Sequence, residues 1–158
     1  MKKTLILLLI IPALLVSACK ADVSRNDDGS LNVETAISQA ELQEVITAAI
    51  ADPLVQDLTA SLQSGYILVS GTRQRLNDAS KTDTMSFRLD LSVSNGQLTA
   101  MISNAEIDGQ PVEQNRVDNW NQTITNRLSN WGGRSENATL QAVNITPENV
   151  TMAWLVTR

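Results

Sequence analysis

Three carboxylates, one lysine and one thiol are the side chains whose type and spacing invite chemistry. They are Asp90, Glu106, Asp108, Lys81 and Cys19. The sequence of 158 residues holds no His, so a general base would have to be a carboxylate or a lysine. Asp90 and Glu106 would make a glycosidase-type pair only if both pointed into one cleft. Their strand pattern puts both on an outward, solvated face. Lys81 is the only lysine after Lys20 and falls in a polar stretch that offers no fixed partner for a serine nucleophile. No glycine-rich phosphate loop and no Gly-x-Ser-x-Gly segment occurs. A lone Cys and no His leave no zinc site, no intrachain disulfide and no His-dependent triad. The expectation is a chain that is not an enzyme and needs neither cofactor nor metal.

Cys19 has a different use. Lys2 and Lys3 precede an apolar run from Leu5 to Ala18, too short for a membrane span of roughly 20 residues and right for a signal-peptide core. The run ends in Leu15-Val16-Ser17-Ala18-Cys19. This resembles a bacterial lipobox, in which a small residue precedes a Cys that receives a diacylglycerol before cleavage. The expected division is a lipoprotein signal peptide over 1–18, a lipidated Cys19 with a flexible linker over 19–36, and one domain over 37–158. The mature chain keeps 10 basic against 17 acidic side chains. That balance argues against nucleic acid and against headgroup attraction, so acyl chains on Cys19 must supply the attachment. The expected location is the bacterial cell envelope, on the outer side of the cytoplasmic membrane or on an outer membrane. The linker is polar, with Asn26-Asp27-Asp28-Gly29-Ser30 at its middle. As a random coil it would reach roughly 20–25 Å.

The elements behind these residues begin at Ser38-Gln39-Ala40-Glu41, a capping box. Leu42, Val45, Ile46, Ala49 and Ile50 follow at helical spacing, and Asp52-Pro53 stops a helix over about 39–51. Leu58, Ala60 and Leu62 alternate, then Ile67, Val69 and Gly71. Thr72–Thr82 reads as a polar, basic surface loop. Met85, Phe87, Leu89, Leu91 and Val93 share one face of a long strand. Asn95-Gly96 predicts a type I′ hairpin that sets Val93 opposite Leu98, Leu91 opposite Ala100 and Leu89 opposite Ile102. Beyond Ile102 the phase slips, which predicts a β-bulge near Ser103-Asn104. A second helix over about 112–131 carries Val117, Trp120, Ile124, Leu128 and Trp131 on one side. A last hairpin turns at Thr146-Pro147-Glu148-Asn149. The class is α+β, as a curled antiparallel sheet of about six strands with two helices on one face, in the order α-β-β-β-β-α-β-β.

Two readings of function remain open. Helices laid over one face of a sheet would leave an apolar groove lined by Met85, Phe87, Leu89, Leu91, Trp120, Ile124, Trp131, Met152 and Trp154. Such a groove suits acyl chains, and phospholipid is then the expected ligand. Alternatively those side chains fill one another's space, and the chain binds or stabilises another envelope protein through its surface. An open groove would favour the first, a closed core the second.

The organisation from Ser38 onward resembles the LmeA-like phospholipid-binding proteins of bacterial envelopes and is similar to the related YpmS-like group. The resemblance rests on the Ser38-Gln39-Ala40-Glu41-Leu42 opening, on Tyr66-Ile67-Leu68-Val69-Ser70-Gly71, and on the long strand into Asn95-Gly96-Gln97-Leu98. Ile107-Asp108-Gly109-Gln110-Pro111-Val112 and Val143-Asn144-Ile145-Thr146 complete it. It implies a curved sheet wrapped on helices, extracytoplasmic placement and lipid binding. The chain departs from the family in carrying a lipobox and a longer polar segment at Thr72–Thr82.

Overall fold

The computed structural model describes residues 21–130 and 137–157; Cys19 and Trp131 lie outside them. The architecture is α+β, with two helices and two antiparallel sheets. Strands β1 (Ala21–Arg25), β2 (Leu31–Ser38), β9 (Asn149–Val156) and β8 (Ala138–Ile145) form the first sheet in that order. Strands β3 (Val55–Leu62), β4 (Ile67–Gln74), β5 (Thr82–Ser94), β6 (Gln97–Ile107) and β7 (Gln110–Pro111) form the second. Helix α1 (Gln39–Ile50) joins β2 to β3, and α2 (Gln114–Ser129) joins β7 to β8. The expected single sheet of about six strands is therefore corrected to two.

The expected linker is the source of the extra strands. Residues 21–38 form a hairpin, with Ala21 opposite Thr35 and Arg25 opposite Leu31. The Asn-Asp-Gly cluster is its turn. The Asp28 carboxylate accepts from the Ser30 N–H at 2.9 Å and from its hydroxyl at 2.6 Å, while Gly29 takes φ +83°. Short polar side chains that satisfy the backbone of a tight turn also compose flexible linkers, and the two readings share one sequence. The signal against a linker is the alternation Leu31, Val33, Thr35, Ile37, which ends in fully buried Ile37.

The local expectations elsewhere hold. The Ser38 N–H donates to Glu41 Oε2 at 2.8 Å and the Glu41 N–H donates to Ser38 Oγ at 3.3 Å, so the capping box is complete. Helix α1 ends at Ala51, in the left-handed region at φ +47°. Asn95 and Gly96 both have positive φ, as a type I′ turn requires. The pairs Val93–Leu98, Leu91–Ala100 and Leu89–Ile102 form as expected. The bulge lies where the phase slips: Phe87 faces both Asn104 and Ala105, with Asn104 at φ +51°. The basic loop is shorter than expected, because β4 runs to Gln74 and β5 starts at Thr82.

Both helices are fastened to sheet edges by side chains. The Ala60 N–H of β3 donates to Gln43 Oε1 at 2.7 Å, and Gln43 Nε2 donates to the Leu58 carbonyl. On β6, the Ile102 N–H donates to Asn121 Oδ1 at 2.8 Å and the Ala100 N–H to Thr125 Oγ1 at 3.0 Å. These bonds satisfy strand groups that would otherwise invite another strand. The two sheets meet at β8: the Leu140 N–H donates to the Gly96 carbonyl at 2.9 Å, and the Gly65 N–H to the Ile145 carbonyl at 3.0 Å. Gly96 is required there, since a Cβ would lie 2.5 Å from Thr139 Cγ2.

Candidate functional site

The residues expected to line a groove are in the core. Met85, Phe87 and Leu89 of β5, Trp120 and Ile124 of α2, and Met152 and Trp154 of β9 are all buried. They pack on one another: the rings of Phe87 and Trp120 stack with centroids 5.9 Å apart. The Trp154 indole N–H donates to Thr35 Oγ1 at 3.3 Å, which satisfies the one polar atom the ring brings inside. Leu91 is only partly buried. Apart from partly buried Leu91, the described residues of the candidate groove are thus buried in the core; Trp131 lies outside the described residues.

The three carboxylates are not brought together. Asp90 takes a two-pronged ion pair from Arg88, at 2.8 and 2.6 Å, and Arg88 in turn lies 4.2 Å over the Tyr66 ring. The Arg88 hydrogen bond outweighs partial burial and holds the Asp90 carboxyl below the ordinary range. Glu106 sits opposite Ser86 on the same strand pair. Asp108 pairs with Arg75 at 3.2 Å, and Arg75 also pairs with Asp83. Lys81 is taken by Asp78 at 3.1 Å. Arg88 and Lys81 each hold one carboxylate and Arg75 holds two, all as exposed or part-exposed ion pairs.

The open space lies elsewhere. A cleft of about 930 Å³ runs between the C-terminal end of α1, the β4–β5 loop and the segment that leads into α2. Its apolar lining includes Ile50, Leu76, Ile107, Val112 and Trp120, and its polar lining includes Arg73, Gln110, Asn115, Arg116 and Asn119. Asp52 holds both arginines of this lining. Its carboxylate oxygen Oδ2 accepts from Arg73 Nε at 3.0 Å and lies 3.5 Å from Arg116 Nη2, while Oδ1 accepts from the Leu54 N–H at 3.0 Å. Burial pushes the Asp52 carboxyl up, but the Leu54 amide and the two guanidinium groups together hold it below the ordinary range. The Arg116 guanidinium also stands 5.8 Å over the Trp120 ring, a cation–π distance.

Sequence reasoning saw these residues separately and missed the cleft. Asp52 read only as a helix stop and Arg73 only as part of a loop. Nothing in the spacing of positions 52, 73 and 116 announces that one carboxylate oxygen serves two guanidinium groups. Among the described residues, no group of three or more Cys, Asp or Glu is gathered closely enough to hold a metal ion, and no helix is long and apolar enough to cross a membrane. No known protein family, no curated protein and no solved structure matches the chain.

Proposed function

We propose that the chain is a lipid-anchored, non-enzymatic module of the bacterial envelope that works by binding another envelope protein. The observation that carries this is the closure of the helix–sheet interface around the Phe87–Trp120 stack. An acyl chain needs apolar walls that do not already fill one another's space. The likeness to the LmeA-like family points toward acyl chains in that interface, and the filled core weighs against them.

The hairpin of residues 21–38 changes how such a module would sit. With the anchor on Cys19, only Lys20 separates the acylated residue from the start of β1 at Ala21, a span of at most about 7 Å. The 20–25 Å stand-off expected of a linker is gone, and the first sheet is held close to the bilayer. A domain held in that way meets partners that are themselves in or on the membrane.

The test uses the full-length chain and its Cys19→Ala variant. In the native host, a photo-crosslinking residue placed singly at the exposed positions Leu68, Leu76 and Met101 should give adducts with one envelope protein. The adducts should depend on position and be lost in Cys19→Ala. Saturable uptake of labelled phosphatidylglycerol, near one per chain and with changed tryptophan emission, would return the function to lipid binding.

A further inference from the structure

Among the described residues, the outer edge of β1 is open along its whole length, while the other sheet edges are covered or too short to extend. Gln43 bonds the edge of β3, and β7, Asn121 and Thr125 line the edge of β6. Strand β8 is bonded to Gly96 and Gly65, and β7 is two residues long, one of them Pro. Strand β1 ends its sheet, pairs with β2 alone, and is exposed at all five residues. The phase of its free groups follows from its turn, where the Asn26 N–H donates to the Ser30 carbonyl at 2.9 Å. Bonded and non-bonded pairs alternate along an antiparallel ladder. Asp22 and Ser24 therefore exchange bonds with Glu34 and Asn32, and Ala21, Val23 and Arg25 turn their N–H and C=O groups outward. A second observation lies on the side chains. Trp154, Val33 and Val23 stand opposite one another across three strands and share one face. Trp154 is buried and Val33 packs against the core, but Val23 is 56% exposed. The apolar row runs out of the core and stops in water at an open edge, which is a template for one more strand.

We infer that the strand is β1 of a second copy, paired antiparallel about a two-fold axis with Val23 opposite Val23. The strand's own sequence selects this occupant and this register. In a two-fold pair of identical strands an outward residue must meet an outward residue, so the axis passes at Asp22, Val23 or Ser24. Centring on Asp22 sets two carboxylates opposite each other, and Asp22 already faces Glu34; like charges in that position repel. Centring on Ser24 puts Val23 opposite Arg25 and runs the ends of the pair into the 26–30 turns. Centring on Val23 uses all five residues and leaves no conflict. Asp22 then meets the Ser24 hydroxyl, Arg25 meets Ala21, and the outward rows exchange both of their N–H···O bonds. Charged side chains often blunt a free edge, but in this register neither charge opposes its like. The row Trp154, Val33, Val23 continues into Val23, Val33 and Trp154 of the second copy, and two four-stranded sheets become one. The contact is separate from the partner-binding reading above, and either can fail without the other.

The experiment co-expresses two full-length copies with different C-terminal tags and purifies one of them in nonionic detergent. The second tag should be recovered with the first. Val23→Pro removes an N–H that bonds nothing within one copy and sets its ring where the second copy must approach, a substitution that an edge strand tolerates. Val23→Asp places two carboxylates opposite each other at the axis. Each should cut recovery about tenfold and leave thermal unfolding cooperative. Ser24→Lys sets a lysine opposite Asp22 on both sides of the axis and should tighten the association about threefold at low salt, a gain that misfolding cannot produce. A photo-crosslinking residue at position 23 should give an adduct of twice the mass of the chain. No recovery of the second tag would overturn the proposal. Recovery that survives both Val23 variants would overturn it as well, since it would come from shared micelles or from another contact. Weaker association of Ser24→Lys would overturn the register by placing Ser24 opposite itself. An adduct at position 23 with a different protein would give the edge to that protein and overturn the second copy as its occupant.

Discussion

Trp120 belongs to two regions that solve opposite problems. One face of its ring stacks on Phe87 inside the helix–sheet interface; the ring also lines the cleft, where Arg116 stands over it. On the inner side the ring meets Phe87, and both are buried. On the cleft side charges and amides stand among apolar residues, and the space is open. The difference separates what holds the fold from what is free to recognise something. Aromatic residues spaced along a helix face do not by themselves distinguish a core from a pocket. The partners across the interface decide, and here Phe87, Met85 and Leu89 close it.

The sharpest way to break this comparison is to remove the shared ring. Trp120→Ala should cost about 3–5 kcal/mol in urea unfolding, the range for a large buried aromatic whose cavity cannot collapse. Trp120 is 3% exposed, so nearly all of its surface is burial that the substitution removes. A loss below about 1 kcal/mol would mean that the stack is not part of a closed core, and the acyl-binding reading would regain its groove.

How much was legible follows the range over which each feature is encoded. The Ser38–Glu41 cap, the Asn95-Gly96 turn with its register, and the bulge at Asn104 are written within a few residues, and all were readable. The burial of Leu42, Val45, Ile46, Ala49 and Ile50 follows from helical period alone. The division into two sheets was not readable, because it depends on β2 pairing with β9, with Val33 opposite Trp154. No local pattern encodes that meeting of distant segments. The first hairpin was missed for another reason. Strand β1 is exposed along its whole length, so it carries no periodicity to detect. The cleft combines both difficulties, being assembled from the end of one helix, a strand with its loop and the start of a second helix, and from charges whose sequence neighbourhoods read as surface.

A second test changes the cleft without touching the core. Asp52→Asn at pH 7 should cost about 1 kcal/mol, from the loss of a charge-assisted bond to Arg73 while the Leu54 N–H keeps an acceptor. The pH dependence has a definite sign. The Asp52 carboxyl is held below its ordinary value of 3.8 in the folded chain. Its ionised form therefore contributes stability fully above that ordinary value, and the contribution is lost as pH falls through the lower folded value. The gap in melting temperature between the unmodified chain and Asp52→Asn should be widest near neutrality and close in acid. A gap that stayed constant as acid was added would show that the carboxylate is not paired as described.

The smallest expected effect sharpens the same contrast. Asp90 is also held by an arginine, with two short contacts from Arg88 where Asp52 has one from Arg73. Contact geometry alone would rank the Asp90 pair the stronger. Surroundings reverse the ranking. The Asp90 side chain is 36% exposed and that of Asp52 is 10% exposed. Water competes for the Arg88 pair and dissolved salt screens it, whereas the Arg73 pair is sheltered by the wall of the cleft. Asp90→Asn should therefore change the melting temperature little or not at all, and any effect seen at low ionic strength should vanish in 1 M salt. The effect of Asp52→Asn should persist under the same salt. If both substitutions lost their effect in salt to the same degree, the cleft would be as wet as the open face of the sheet, and the guanidinium groups in it would hold a carboxylate no better than Arg88 does.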